Sequence, residues 1–155
     1  MLRALSSPRG MVTAPHHLAA QAGAGVLRDG GNAVEAMVAA AAVIAVVYPH
    51  MNSIGGDGFW LISKPGKPPQ GVEACGRAAA LATREWYRSA GHEAIPSRGP
   101  LAANTAAGAV SGWQAALEHA GGTLPLSRLL QDAIWYARNG APVTQSQVDY
   151  TQKFR

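Results

Sequence analysis

The chain has 155 residues, of which 48% are hydrophobic, 14% charged and 6% aromatic, and its formal net charge is +4. This length corresponds to about one domain. A charged fraction well below the usual quarter suggests that other polypeptide normally covers much of the surface, although a compact alanine-rich domain is the alternative. Because the arginines are scattered and not interleaved with aromatic residues, the composition argues against nucleic-acid binding.

Residues 1–10 are interpreted as an N-terminal tail, because they lack the apolar run of a signal peptide. The expected compartment is therefore the cytoplasm. The longest apolar stretch, residues 36–48, is too short to cross a bilayer. We therefore expect no membrane association, and we predict that this stretch belongs to a buried helix.

Two helices are predicted in the first third of the chain. Residues 16–28 place apolar side chains on one face, and Gly30 follows them as a C-terminal glycine commonly does. Asn32 is the predicted N-cap of the second helix, with Glu35 at the capping-box position. This helix continues to about Tyr48, and its nearly uniform apolar character predicts burial on all sides.

A glycine-rich turn follows, formed by Gly55, Gly56, Asp57 and Gly58. Its glycines allow either a close approach of two backbone segments or positive φ angles. Residues 59–63 and 70–75 are predicted strands, joined as a hairpin, and the first of them is expected to be buried. Because two strands are too few for an independently stable sheet, the chain is expected to need partner strands.

The second half of the chain is predicted to be mainly helical. Thr83 begins a short helix, residues 91–105 form a loop, and residues 110–119 form a further helix. Residues 124–138 have the clearest amphipathic pattern, with apolar residues recurring on one face. Residues 143–155 resemble the start of another helix, as if the domain were cut there.

Few residues are candidates for chemistry. The histidines lack further ligands at metal-binding spacing, so no metal site is predicted, and no cofactor is implied. The single cysteine, Cys75, excludes an internal disulfide and is expected to be a small buried residue. Arg77 follows the second strand directly after a glycine. Its guanidinium could present two parallel donors to a substrate carboxylate, although a surface arginine is the alternative.

Several segments together resemble the gamma-glutamyltranspeptidase family over about residues 10 to 150. In chain order they are GMV (10–12), HLAAQAG (17–23), LRDGGNAVEA (27–36), PHM (49–51), IGGDGF (54–59), GRA (76–78), GAVSGW (108–113), GTLPL (122–126) and ARNG (137–140). The Gly-Arg-Ala form is closest to the branch of the family that includes acylases and amidohydrolases.

The resemblance implies an α+β fold, namely the αββα sandwich of an N-terminal nucleophile hydrolase. Residues 11–155 would form an incomplete, helix-rich N-terminal part of its large subunit. It also implies self-cleavage of a precursor, with a terminal threonine of the small subunit attacking a gamma-glutamyl or related acyl amide. That nucleophile would lie beyond Arg155. No catalytic residue is therefore assigned within the chain, which is expected to be inactive alone and to need the rest of the large subunit and the small subunit as partners.

The resemblance also implies a role for Arg77, because the family holds the substrate carboxylate with an arginine after this strand. An ungapped comparison with the better-known enzymes places Cys75 at that position instead. The substrate is therefore open between a gamma-glutamyl amide and a non-glutamyl acyl amide. A non-enzymatic or truncated module that binds a small acid or a partner chain is the remaining alternative.

Overall fold

The computed structural model describes residues 6–102 and 105–154. Its elements are α1 (His17–Arg28), α2 (Ala33–Val47), β1 (Gly58–Ile62), β2 (Gln70–Ala74), α3 (Arg84–Ser89), a 3-10 turn (Pro100–Ala102), α4 (Ala109–Ala120), α5 (Leu126–Leu129), α6 (Gln131–Asn139) and α7 (Gln145–Lys153). The described residues divide into two compact units. We call residues 6–53 with 113–154 the helical unit, and Ile54–Gly112 the hairpin unit.

Both ends of α1 are set by local hydrogen bonds. His16 is the N-cap, and its Nδ1 accepts from the Leu18 N–H at 3.2 Å. At the other end Gly30 has φ +90°, a conformation that costs glycine little. Its neighbour Gly31 donates to the Val26 carbonyl at 3.0 Å, the long bond of a Schellman motif. The predicted first helix is therefore confirmed to within one residue.

Helix α2 forms the centre of the helical unit. The predicted capping box is present: Asn32 Oδ1 accepts from backbone N–H groups and the Glu35 side chain accepts from the Asn32 N–H. Ten of its fifteen residues are buried, and its apolar side chains pack with those of α1 and α6. Met37, which is 41% exposed, is an exception to the predicted all-round burial.

Glu35 also anchors the connection between α4 and α5. Its side chain is fully buried, and Oε1 accepts from the N–H groups of Thr123 at 2.7 Å and Leu124 at 2.6 Å, while Oε2 accepts from Asn32 at 2.7 Å. Burial opposes the charge, but these three backbone donors outweigh it and lower the pKa of the carboxyl. A carboxylate therefore joins two segments that are far apart in the sequence.

The predicted continuous helix over residues 124–138 is wrong. The structure has two helices, α5 and α6, separated at Leu130, where φ is −90° and ψ is −5°. The i→i−4 hydrogen bonds nevertheless continue across it, from the Leu130 N–H to the Leu126 carbonyl and from the Ile134 N–H to the Leu130 carbonyl, both at 2.9 Å. Leu129 and Ala133 are buried, whereas Leu126 and Ile134 are 54% and 42% exposed.

Strands β1 and β2 form an antiparallel hairpin, with Trp60 opposite Val72. The predicted hairpin is confirmed, but the expectation that its first strand is buried is wrong for one face. Phe59 and Leu61 are 73% and 80% exposed, whereas Ile62 is buried. Alternate side chains of a strand point to opposite faces of the sheet, so the apolar run of β1 makes both faces apolar. The described residues bury the face that carries Ile62 and leave the face that carries Phe59 and Leu61 exposed.

Within the part of the chain that the structure describes, no helix is long and apolar enough to span a membrane. The cytoplasmic compartment remains a prediction, as do the domain limits at residues 1–10 and 11–155. Residues 1–5 of that tail lie outside the described residues, and residues 6–10 contain no helix or strand.

Candidate substrate-binding site

The glycine-rich turn lies against the start of α4. The Gly56 carbonyl accepts hydrogen bonds from the N–H groups of Gly108 and Ala109, both at 2.9 Å. Donors in the first turn of a helix have no partner within the helix, so this carbonyl satisfies two of them. Gly56 and Gly58 do not have positive φ angles. A Cβ atom on Gly56 would meet nothing within 4 Å, and one on Gly58 would make ordinary contact with the Ala109 backbone at 3.6 Å, so neither of the two possibilities that the sequence offered is required at these two glycines.

The end of β2 is held by two closer backbone approaches. A Cβ atom on Gly76 would lie 1.5 Å from the Ala106 carbonyl oxygen, and one on Gly108 would lie 2.1 Å from the Ala74 carbonyl oxygen. Both distances are far inside van der Waals contact, so neither position has room for a side chain. We call the turn Gly55–Gly58 together with Cys75–Arg77 the strand-end site.

Arg77 occupies an exposed position in the strand-end site. Its carbonyl accepts from the Ala106 N–H at 3.1 Å, and the next residue, Ala78, pairs with Thr105 in an isolated antiparallel bridge. The backbone of Arg77 is therefore fixed on both sides. Among the described residues, its guanidinium forms no ion pair, which leaves its donors available to a ligand.

Cys75 is exposed, so the expectation of a buried cysteine is wrong. The pKa of its thiol is raised, first by loss of solvent around it and then by the negative charges of Asp57 and Glu73, of which Glu73 also accepts a hydrogen bond. A thiol with a raised pKa is a poor nucleophile at neutral pH. The position where the ungapped comparison expects an arginine thus carries a neutral group beside two carboxylates.

The structure brings together the predicted turn and the end of β2 within one unit, and the substrate-binding role of Arg77 stays a prediction. Sequence reasoning missed the contacts of Gly76 and Gly108 and the grouping of Cys75 with Asp57. The glycines were visible in the sequence, in GRA (76–78) and GAVSGW (108–113). Their close approach depends on pairing between distant segments, which no local pattern reveals. Among the described residues, no group of three or more possible metal ligands is found.

The model of the gamma-glutamyltranspeptidase family matches residues 19–155. The chain therefore belongs to the gamma-glutamyltranspeptidase family. It is 58% identical over 149 residues to the oxamate amidohydrolase proenzyme of Klebsiella pneumoniae, a match that covers 94% of this chain and 28% of that protein. The predicted family, and the position near its amidohydrolase and acylase branch, are confirmed.

Solved structures agree with this assignment. The crystal structure of Helicobacter pylori gamma-glutamyltranspeptidase matches with a TM-score of 0.87 and 32% identity, covering 97% of this chain and 44% of that chain. The cephalosporin acylase of Bacillus halodurans matches with a TM-score of 0.80 and 39% identity, covering 86% and 24%. These matches confirm the predicted fold class, an α+β portion of an N-terminal nucleophile hydrolase. The chain spans less than a third of the curated relative described above.

Proposed function

We propose that this chain is part of an amidohydrolase that cleaves the amide bond of a small acidic acyl amide, of the oxamate type. The observation that carries the proposal is the 58% identity to a protein named for oxamate hydrolysis. The exposed Arg77, fixed at the end of β2 without an ion pair among the described residues, supports it, because an acidic amide needs a cationic partner.

The reaction that we propose has two steps. A hydroxyl oxygen, supplied by a terminal threonine outside residues 1–155, attacks the amide carbon while the adjacent α-amine takes the hydroxyl proton. The C–N bond breaks, and ammonia leaves after receiving that proton. Water then attacks the resulting ester, its C–O bond breaks, and the acid is released as the hydroxyl is restored. Residues of this chain position the substrate and do not form the covalent bond.

Arg77 is the residue that we assign to substrate binding. The guanidinium would hold the substrate carboxylate through two parallel hydrogen bonds. The alternative position, Cys75, is unsuited to this task, because Asp57 and Glu73 place negative charge beside it. Arg77→Gln should therefore raise KM for acidic amides, whereas Lys67→Gln in the hairpin connection should leave KM unchanged in the same steady-state assay.

The partner that we propose is the remainder of a gamma-glutamyltranspeptidase-type proenzyme, its large-subunit continuation and its small subunit. The Klebsiella relative is named as a proenzyme and is more than three times as long as the matched segment. The uncovered side chains of Phe59 and Leu61 support this proposal, since an exposed apolar strand face is an unfavourable surface. A further layer of polypeptide packed on this face would bury them.

The function is tested by supplying two substrates to the protein as its gene encodes it. Ammonia release from oxamate should exceed product release from a gamma-glutamyl anilide. The reverse preference would favour gamma-glutamyl hydrolysis, the second candidate, which the match to the Helicobacter pylori enzyme supports. Turnover of neither amide, together with binding of oxamate, would indicate the non-enzymatic binding module.

A further inference from the structure

A second basic site lies in the hairpin unit, between α3 and the loop that follows it. This cleft has a volume of about 520 Å³. Its charged side chains are Arg84, Arg88 and Glu93, and Ala94 and Ile95 contribute apolar surface. We call it the α3 cleft. None of these residues belongs to the strand-end site, and the proposed mechanism does not use them.

The two arginines of the α3 cleft lie four residues apart on α3. Residues at this spacing share one face of a helix, with Cβ atoms about 6 Å apart, and like charges there repel each other. Among the described residues, neither guanidinium forms an ion pair. Glu93 is the one carboxylate that lines the cleft. The cleft therefore carries one more positive than negative charge and would be stabilised by an anion.

The helix that carries these arginines is fixed in place. Thr83 Oγ1 accepts from the Trp86 N–H at 3.1 Å and caps its start. Tyr87 is buried, and its hydroxyl donates to the Leu101 carbonyl at 2.7 Å. The backbone of α3 is therefore held both at its start and on its buried face. Because the helix that carries the two guanidinium groups is already fixed, binding a ligand orders less of the chain and costs less entropy.

We propose that the α3 cleft binds a short dicarboxylate, the class of product that hydrolysis of an acidic amide releases. The choice of ligand rests on the proposed function. Hydrolysis of oxamate, which carries one negative charge, yields a dicarboxylate with two. Each of the two guanidinium groups can donate to one carboxylate of such a product, and a volume of about 520 Å³ admits a small acid. The cleft therefore favours product over substrate.

The test is calorimetric titration of the protein as its gene encodes it, with oxalate as the probe and oxamate as the comparison. At low ionic strength we expect oxalate to bind more tightly than oxamate, and its affinity should fall as salt is added. Replacing both arginines, Arg84→Gln with Arg88→Gln, should weaken oxalate binding by about tenfold. Both side chains are exposed, so the fold should survive, and circular dichroism checks this.

Two further variants separate this site from its alternatives. Glu93→Gln removes the repulsive carboxylate and should tighten oxalate binding about threefold, whereas Lys67→Gln in the hairpin connection should leave it unchanged. Equal oxalate affinity with and without the two arginine substitutions, measured in an Arg77→Gln background so that the strand-end site does not contribute, would overturn the proposal. Binding that follows these expectations in a protein without oxamate hydrolysis would refute the proposed function and support the α3 cleft as an anion site.

Discussion

The helical unit and the hairpin unit are stabilised in different ways. In the helical unit, α2 is buried along most of its length and the carboxylate of Glu35 joins distant backbone segments. In the hairpin unit, β1 exposes Phe59 and Leu61, and at Gly76 and Gly108 an added Cβ atom would collide with a neighbouring backbone carbonyl. The helical unit is therefore specified by side-chain burial, whereas the hairpin unit depends on positions without side chains.

The largest expected effect comes from adding a methyl group at Gly76. A Cβ there would lie 1.5 Å from the Ala106 carbonyl oxygen, so the backbone must move. Gly76→Ala should destabilise the hairpin unit by about 3 kcal/mol or more. Hydrogen exchange of the β1 and β2 amides measures this change. Gly71→Ala is the matched control, because a Cβ at Gly71 would meet only the Trp60 carbonyl oxygen, at 3.8 Å. Equal exchange in the two variants would refute the role of backbone contacts.

A smaller effect is expected from Glu35→Gln in the helical unit. Glutamine presents one acceptor where the carboxylate has two, so a backbone donor is left facing an amide N–H₂. We expect a loss of about 2 kcal/mol at pH 7, measured by urea unfolding. Glu118→Gln, at an exposed position on α4, is the control and should change stability by less than about 0.5 kcal/mol. An equal loss in both variants would contradict the anchoring role of Glu35.

The effect of Glu35 also has a defined dependence on pH. Its pKa is lower in the folded protein than in the unfolded chain, so the unfolded state binds more protons between the two pKa values. The stabilisation is complete above the unfolded pKa and is lost as pH falls through the folded one. The difference in unfolding free energy between the wild type and Glu35→Gln should therefore shrink in acid.

The smallest effect is expected at His16, whose pKa is lowered by burial and by the neighbouring charge of His17. Its neutral form accepts the capping bond from Leu18. The corresponding stability is present above the unfolded pKa near 6.5 and declines as pH falls below it. His16→Asn retains a capping acceptor that does not titrate. Thermal unfolding between pH 5 and pH 8, a range of about three units around that pKa, should be less pH-dependent in this variant, and an unchanged slope would contradict the assignment.

The sequence predicted most of the elements because their limits are local. Gly30 and Asn32 mark the boundary between α1 and α2, and Thr83 begins α3. Each does so through a hydrogen bond to a backbone group no more than three residues away. The break at Leu130 was not predicted, because the apolar pattern continues through it. The long-range bonds of Glu35 to Thr123 were also missed, because a capping-box glutamate gives no sign of a second partner.

The candidate site was predicted only in part. The turn and Arg77 were identified from their residues and from the family resemblance, and the structure shows why glycine is needed at Gly76, beside Arg77, and at Gly108. The exposure of Cys75 and its proximity to the charges of Asp57 and Glu73 depend on the pairing of β1 with β2 and on the path of the turn. The sequence does not reveal this proximity, because Asp57 and Cys75 are 18 positions apart and meet only in the folded chain.

The most direct test of the proposed substrate site compares kcat/KM for oxamate with kcat/KM for its neutral diamide, oxamide. If Arg77 binds the carboxylate, the wild-type protein should prefer oxamate by about 100-fold, and Arg77→Gln should abolish most of this preference by reducing activity toward oxamate alone. Lys67→Gln should retain the wild-type ratio. An unchanged ratio in Arg77→Gln would contradict the assignment of substrate-carboxylate binding to the strand-end site.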